Sequence, residues 1–209
     1  MHVEGTQRIA EAVAKYDVDR FVHISSYNAN LDSPSEFFRT KAQGEIEARK
    51  IFPETTIVRP SIMYGYEDRY IHPIARGTDF LAANHRQQKF YPVHVIDVGT
   101  ALEKIAYDDS TNSQTFELYG PRLYSKEQIA HLISKMTLND KKYINLPKPV
   151  MEVVATLLNK ILWPTYCKDE VVREFIDQEI DKTAKTFKDL GIEPVELDAV
   201  LFQYVRNYR

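Results

Sequence analysis

The placement of glycine constrains this chain more than any other feature of its sequence. Seven glycines occur in 209 residues (Gly5, Gly44, Gly65, Gly77, Gly99, Gly120 and Gly191), and no two fall within three residues of each other. A dinucleotide fingerprint, G-x-G-x-x-G, needs glycines that close: one makes the tight turn, another lets backbone approach a pyrophosphate. A P-loop needs a similar cluster. Neither motif is present, so any parallel α/β architecture built here lacks the usual phosphate cradle at a helix N-terminus.

The remaining composition is that of an ordinary globular chain, 44% hydrophobic and 27% charged. A net charge of −3 and a pI of about 6.1 give no basis for electrostatic capture of nucleic acid. The single cysteine, Cys167, excludes an internal disulfide, a zinc ribbon and a redox pair. The six histidines are scattered without an H-E-x-x-H pattern, so no metal site is expected. The most apolar stretch, residues 150–163, contains Glu152, Asn159 and Lys160 and falls short of the roughly 20 apolar residues that cross a bilayer. No transmembrane span is expected. Residues 1–6 read neither as a secretory signal nor as an Arg/Ser-rich transit peptide.

Periodicity gives the elements. Ile9, Ala10, Val13 and Ala14 share one face of a helix over 4–16. Residues 20–26, β-branched and aromatic and closing on Ser25-Ser26, read as a buried strand whose carboxyl end opens into a loop. Ser35 caps a helix over 35–51, and Pro60 stops a strand over 55–59. A loop over 61–69 leads to a helical segment near 70–83, and 91–97 is extended, with Asp97 capping a helix over 98–107. Residues 115–119 form a third strand, and Ser125 caps a helix over 128–136. From residue 141 the pattern is mostly helical, over 150–163, 169–176 and 196–208. Alternating strands and helices predict a parallel sheet with helices on its faces. The expected division is therefore an α/β, Rossmann-like part over 1–140 and a small, mainly helical domain over 141–209.

The order of the motifs resembles the second half of an extended short-chain dehydrogenase/reductase. His2-Val3-Glu4-Gly5-Thr6 resembles the helix start before the strand of the catalytic serine, and residues 20–26 resemble that strand. Phe37-x-x-x-Lys41 stands where the tyrosine–lysine pair stands, followed by Gly44-Glu45. Arg59-Pro60-Ser61 with Tyr64-Gly65 resembles the proline loop lining the nicotinamide, and residues 93–98 resemble the segment shaping the substrate domain. Residues 28–35, and 52–61 running into 65–70, narrow the resemblance to the NADPH-binding accessory subunits of mitochondrial respiratory complex I. It covers residues 1 to about 125 well; residues 140–209 match in helical character and order only. The resemblance implies cofactor-binding residues Ser25, Ser26, Lys41, Pro60, Ser61 and Ile62, and NADPH as cofactor. It also implies a non-catalytic role stabilising the junction of the peripheral and membrane arms, with other complex I subunits near the quinone site as partners. The implied place is the matrix side of the mitochondrial inner membrane, peripherally.

Two departures shape that expectation. In active reductases of this type a tyrosine hydroxyl transfers the proton, and the lysine one turn later lowers its pKa and holds the ribose. Position 37 is phenylalanine, whose ring has no proton to give. Tyr27, at the strand end, is the nearest substitute. The glycine-rich turn and first βα units should precede Met1 by more than about 100 residues, so the chain is expected to be a fragment of a longer subunit, or the product of a late-start gene model.

Plainer readings stand beside each of these. Lys41 is either the ribose-binding lysine or a solvated helix lysine. Ser25 and Ser26 either line the cofactor or satisfy their own strand-end turn. Val150, Val153, Val154, Leu157, Leu158, Ile161 and Leu162, with Trp163 after them, form either a core helix or a face against a membrane subunit or lipid headgroups. The rival functions are an active reductase, epimerase or dehydratase, and a free-standing NAD(P)-sensing module.

Overall fold

The computed structural model describes residues 2–140, 142–161 and 167–209. Its elements run in the order α1 (Glu4–Lys15), β1 (Val22–Ile24), α2 (Glu36–Ile51), β2 (Thr56–Pro60), β3 (Met63–Tyr64), α3 (Ile71–Arg76), β4 (Leu81–Ala82), β5 (Lys89–Phe90) and β6 (Val93–His94). There follow α4 (Val95–Tyr107), β7 (Thr115–Leu118), β8 (Tyr124–Ser125), α5 (Lys126–Thr137), β9 (Ile144–Asn145), α6 (Lys148–Ile161), α7 (Lys168–Arg173) and α8 (Leu197–Val205). The chain divides into two compact units, each made of three stretches: Met1–Ser61, Val93–Gly120 and Glu179–Val195; and Ile62–Pro92, Pro121–Gln178 and Glu196–Arg209. The contacts do not divide the chain at the single cut expected near residue 140. The composition shift there tracks chain order, whereas residues 179–195 return to the sheet: Lys185 N–H donates to Thr115 O at 2.9 Å, and Glu117 N–H to Lys185 O at 2.8 Å.

The first unit is built on a parallel sheet of order β1-β2-β7. β2 is central, with both its faces covered: Ile57 and Val58 are fully buried. β1 was expected to be a buried strand; among the described residues it pairs with β2 alone, and Ile24 is 39% exposed. Val58, Val93, Val98, Ala101, Ile105, Phe116, Leu118 and Phe187 form this unit's core. Ser35 caps α2 as expected, its Oγ accepting the Phe38 N–H. α4 begins three residues earlier than expected. Asp97 therefore lies inside the first turn rather than at the cap, and its carboxylate accepts the Val195 N–H at 2.7 Å.

In the second unit α3, α5 and α8 enclose Ile71, Ile74, Phe90, Ile129, Ile133 and Leu201. Ser125 caps α5 with a full capping box through Gln128. The helix expected over 70–83 ends at Arg76, because Gly77 adopts φ 77° and closes it with a left-handed cap. Residues 81–82 then pair in parallel with β9. The mainly helical character expected after residue 141 holds for α6, α7 and α8 but not for residues 176–196, where Phe187–Leu190 is a single 3₁₀ turn. In α6 the buried residues Met151 and Ala155 pack with Ala83 and Val171, while Val150, Val153 and Leu157 point outward at 47%, 60% and 54% exposure. Leu162 and Trp163 lie outside the described residues. Among those described, no helix is long and apolar enough to cross a membrane.

Gly44 sets how closely α1 and α2 approach. A Cβ there would sit 2.9 Å from the His2 carbonyl oxygen and 3.4 Å from Thr6 Oγ1. Gly44→Ala gains about 1 kcal/mol of helix propensity, but overpacking against backbone costs about 1–3 kcal/mol. Urea unfolding should show a net loss of up to about 2 kcal/mol; a gain would mean the two helices separate freely.

Candidate functional site

The carboxyl ends of β1 and β2 carry most of the expected site residues, the location that open parallel sheets use for ligands. Three backbone bonds continue the ladder beyond the strands: Ser25 N–H to Val58 O at 2.7 Å, Tyr27 N–H to Pro60 O at 3.2 Å, and Ser61 N–H to Leu118 O at 2.8 Å. Ser25, Ser26, Pro60 and Ser61 therefore share one sheet edge, and all four are buried. The Ser25 backbone is satisfied, but its Oγ has no hydrogen-bond partner among the described residues. A buried hydroxyl without a partner costs about 1–3 kcal/mol, so it marks a place that accepts a polar group. Ile62 does not join this edge. It belongs to the second unit, packed against the cluster that contains Tyr64 and Ile71.

Helix α2 brings Phe37 and Lys41 to β1, one turn apart on the same face. Lys41 Nζ donates to the Ile24 carbonyl at 3.2 Å and lies 5.8 Å from the Phe37 ring centroid. Phe37 meets His2 and Phe38 edge-on, at centroid distances of 5.4 and 5.6 Å. Tyr27 is 6% exposed, its ring against Phe38 at 5.3 Å.

The next carboxylate along α2, Glu45, does not pair with Lys41. It accepts a bidentate pair from Arg59 of β2, Nε to Oε1 at 2.9 Å and Nη2 to Oε2 at 2.6 Å. Arg59 Nη1 also reaches Asp181 at 3.1 Å, and buried Glu117 accepts the Asp181 N–H at 2.7 Å. Hydrogen bonding to Glu45 holds the Arg59 guanidinium pKa up. Burial pushes the Glu117 carboxyl up, with the Asp181 N–H and Arg59 opposing. Burial lowers the Lys41 amine, with Glu45 opposing from a distance. The sequence analysis singled out Glu45 only as a motif neighbour. The Arg59–Asp181 link was invisible because its partners are far apart in sequence.

The edge thus offers an unpartnered buried hydroxyl, an amine with no carboxylate beside it among the described residues, and an apolar ring. That set suits the sugar and planar ring of a nucleotide better than a metal ion. A separate cavity of about 410 Å³ lies within the second unit, lined by Arg122, Tyr124, Glu127, Gln128, His131 and Asp198. None of the expected site residues lines it.

His23 of β1 and His2 stand beside Lys41. Burial, then the Lys41 charge, holds both imidazoles below their usual range; at His23, Glu45 opposes and His2 adds to the lowering. A histidine pKa lowered by folding means that the unfolded chain binds more protons below the ordinary value. Stability is then fully present above about pH 6.5 and is lost as pH falls below it. Unfolding free energy should drop between about pH 7.5 and pH 5.5, and His23→Gln should flatten that drop. An unchanged slope in the variant would remove His23 from the account.

No family model matches the chain. The 40 kDa subunit of mitochondrial NADH-ubiquinone oxidoreductase from Neurospora crassa is 53% identical over 210 residues, covering all of this chain and 56% of that protein. Subunit 9 of the mouse mitochondrial NADH dehydrogenase [ubiquinone] 1 alpha subcomplex is 32% identical over 212 residues, covering 96% of this chain and 55% of that protein. The chain spans about half the length of these curated relatives. Two solved structures share its fold: MoeE5 with UDP-glucose and NAD (TM-score 0.73, 17% identity, covering 99% of this chain and 71% of that one) and the UDP-glucuronic acid 4-epimerase of Bacillus cereus (TM-score 0.70, 16% identity, 100% and 68%). The fold is thus Rossmann-like, α/β with a parallel sheet. By sequence, the chain belongs to the family of the NADH-ubiquinone oxidoreductase 40 kDa and alpha subcomplex subunit 9 proteins.

Proposed function

We propose that this chain is part of a non-catalytic accessory subunit of mitochondrial complex I, one that binds NADPH structurally. The observation that carries this reading is the match at 53% identity, over all of this chain and 56% of the relative, to a complex I subunit, together with phenylalanine at position 37. NADPH would carry its transferable hydride on the nicotinamide, and this site would hold it without transferring it. Lys41 would hold the ribose through Nζ, and Ser25, Ser26, Pro60 and Ser61 would line the ring. Phe37 keeps the pocket wall and removes the proton donor, so binding survives without turnover. Ile62, which follows Ser61 and is partly buried, would add an apolar contact to the same loop. A ligand bound only by the folded state adds stability by linkage, which is a sufficient reason for a site to persist without chemistry.

The outward row Val150, Val153 and Leu157, beside a shallow groove lined by Pro149, Glu152, Thr156 and Lys168, supports a contact with membrane-arm subunits or lipid headgroups. This agrees with a peripheral place on the matrix face of the inner membrane, where the subunit would stabilise the junction of the two arms near the quinone site. The rival reading, an active reductase or epimerase, is favoured by the fold of its structural neighbours alone.

In the full-length subunit, Lys41→Ala should weaken NADPH binding about tenfold, the loss of one charge-assisted hydrogen bond, and Phe37→Tyr should leave affinity nearly unchanged. Isothermal titration reads both; equal affinity in wild type and Lys41→Ala would overturn the ribose assignment. Co-migration with complex I on blue-native gels is expected, and migration as a small soluble species would favour the rival.

A further inference from the structure

The cavity of about 410 Å³ in the second unit falls in the size range of small-molecule sites, about 300–1,000 Å³. Its charge is unbalanced. Arg122 at the rim is shared between two carboxylates, reaching Glu196 at 3.2 Å and Asp198 at 3.4 Å. The buried Tyr124 hydroxyl donates to Glu196 as well, at 3.3 Å. Glu127, a third carboxylate in the lining, forms no ion pair among the described residues. Its Oε2 is buried, yet no hydrogen-bond donor meets it there. A place in the first turn of α5 accounts for an acidic residue. It does not account for a buried oxygen with nothing to accept from. Among the described residues no group of three acidic, histidine or cysteine side chains is placed to hold a metal ion, so the negative charge is spread too widely for one. Tyr124 and Leu132 give the same cavity an apolar side. The Arg122 guanidinium already lies over the Tyr124 ring, 5.1 Å from its centroid, which shows the kind of group this wall accepts.

We propose that this cavity binds an organic cation, the ammonium or guanidinium end of an aliphatic chain, with Glu127 as its ion-pairing group. The cation's N–H groups donate to the buried Glu127 oxygen, and its stem lies against Leu132 and Tyr124. Arg122 is then a built-in competitor: it neutralises Glu196 and Asp198, and so holds down the attraction that the cavity exerts on a second cation. None of these residues belongs to the sheet edge described above, so the cation site stands or falls independently of the dinucleotide. A free polyamine carries the required chemistry, and so does a lysine or arginine side chain of a neighbouring polypeptide.

The test is a ligand-observed NMR titration of the full-length protein with n-butylguanidinium and with spermidine, against butanesulfonate as an anion on the same stem. Both cations should bind with Kd on the order of 1 mM, and butanesulfonate should not. Glu127→Gln should weaken the cations about tenfold, the loss of one charge-assisted hydrogen bond. Arg122→Gln, which releases Glu196 and Asp198, should tighten them about threefold, a change of the opposite sign that a loss of folding does not produce. Glu11→Gln alters the net charge equally on the exposed side of α1 and should leave Kd unchanged. Butanesulfonate binding as well as the cations, an unchanged Kd in Glu127→Gln, or equal weakening by Glu11→Gln overturns the site. Weakening by Arg122→Gln overturns the role of the carboxylates as the source of attraction. A capped Gly-Arg-Gly peptide carries the same guanidinium on a backbone. Binding as tight as that of n-butylguanidinium assigns the site to a basic side chain of another polypeptide, and at least about tenfold weaker binding assigns it to a free amine.

Discussion

The carboxylate-flanked arginine at the centre of the sheet fixes the geometry of everything around it. Arg59 lies on the central strand and takes Glu45 from α2 and Asp181 from the returning segment, while Glu117 on the neighbouring strand holds the Asp181 backbone. Removing such charges from water costs several kcal/mol per ion, and only good geometry offsets that cost. The bidentate Arg59–Glu45 pair supplies it, since a planar guanidinium accepts little displacement of its partner. The rotation of α2 about its axis is thereby set, and with it the face carrying Phe37 and Lys41. The same pair takes the charge of Glu45 away from Lys41. The lysine's isolation and the helix's placement have one cause.

Binding and chemistry are separable in this architecture because different atoms carry them. A ribose needs a cationic donor and a rigid edge of backbone and hydroxyls. Proton transfer needs one phenolic oxygen. Phe37 offers a ring without that oxygen, packed edge-on against His2 and Phe38. Such a substitution changes what a site does at little cost to the fold, since ring volume and edge-to-face contacts are retained.

Elements with strong local signals were legible in the sequence. The Ser35 and Ser125 caps, the strand stopped at Pro60 and the order of strands and helices all follow from hydrogen bonding and periodicity within a few residues. The motif around Phe37 and Lys41 was legible for the same reason, since i and i+4 spacing is fixed by the helix itself. Signals that depend on distant partners were not. Residues 179–195 carry no strand periodicity because a single bridge at Lys185 attaches them to β7. Ile62 follows Ser61 directly, yet its side chain belongs to another core. In α6, counting apolar residues found an amphipathic helix, but only the packing of Met151 and Ala155 showed which row faces outward.

The sequence by itself determined the type and order of elements, the absence of a glycine-rich phosphate turn from these 209 residues, and a phenylalanine at position 37. These are properties of residue identity and of spacing along one turn or one strand. Tertiary structure decided which carboxylate pairs with Arg59, that Lys41 is left without one, that the Ser25 hydroxyl is buried unpartnered, and how the chain sorts into two units. Those outcomes depend on desolvation and on contacts between residues far apart in sequence, and no local pattern encodes which partner a buried charge will find.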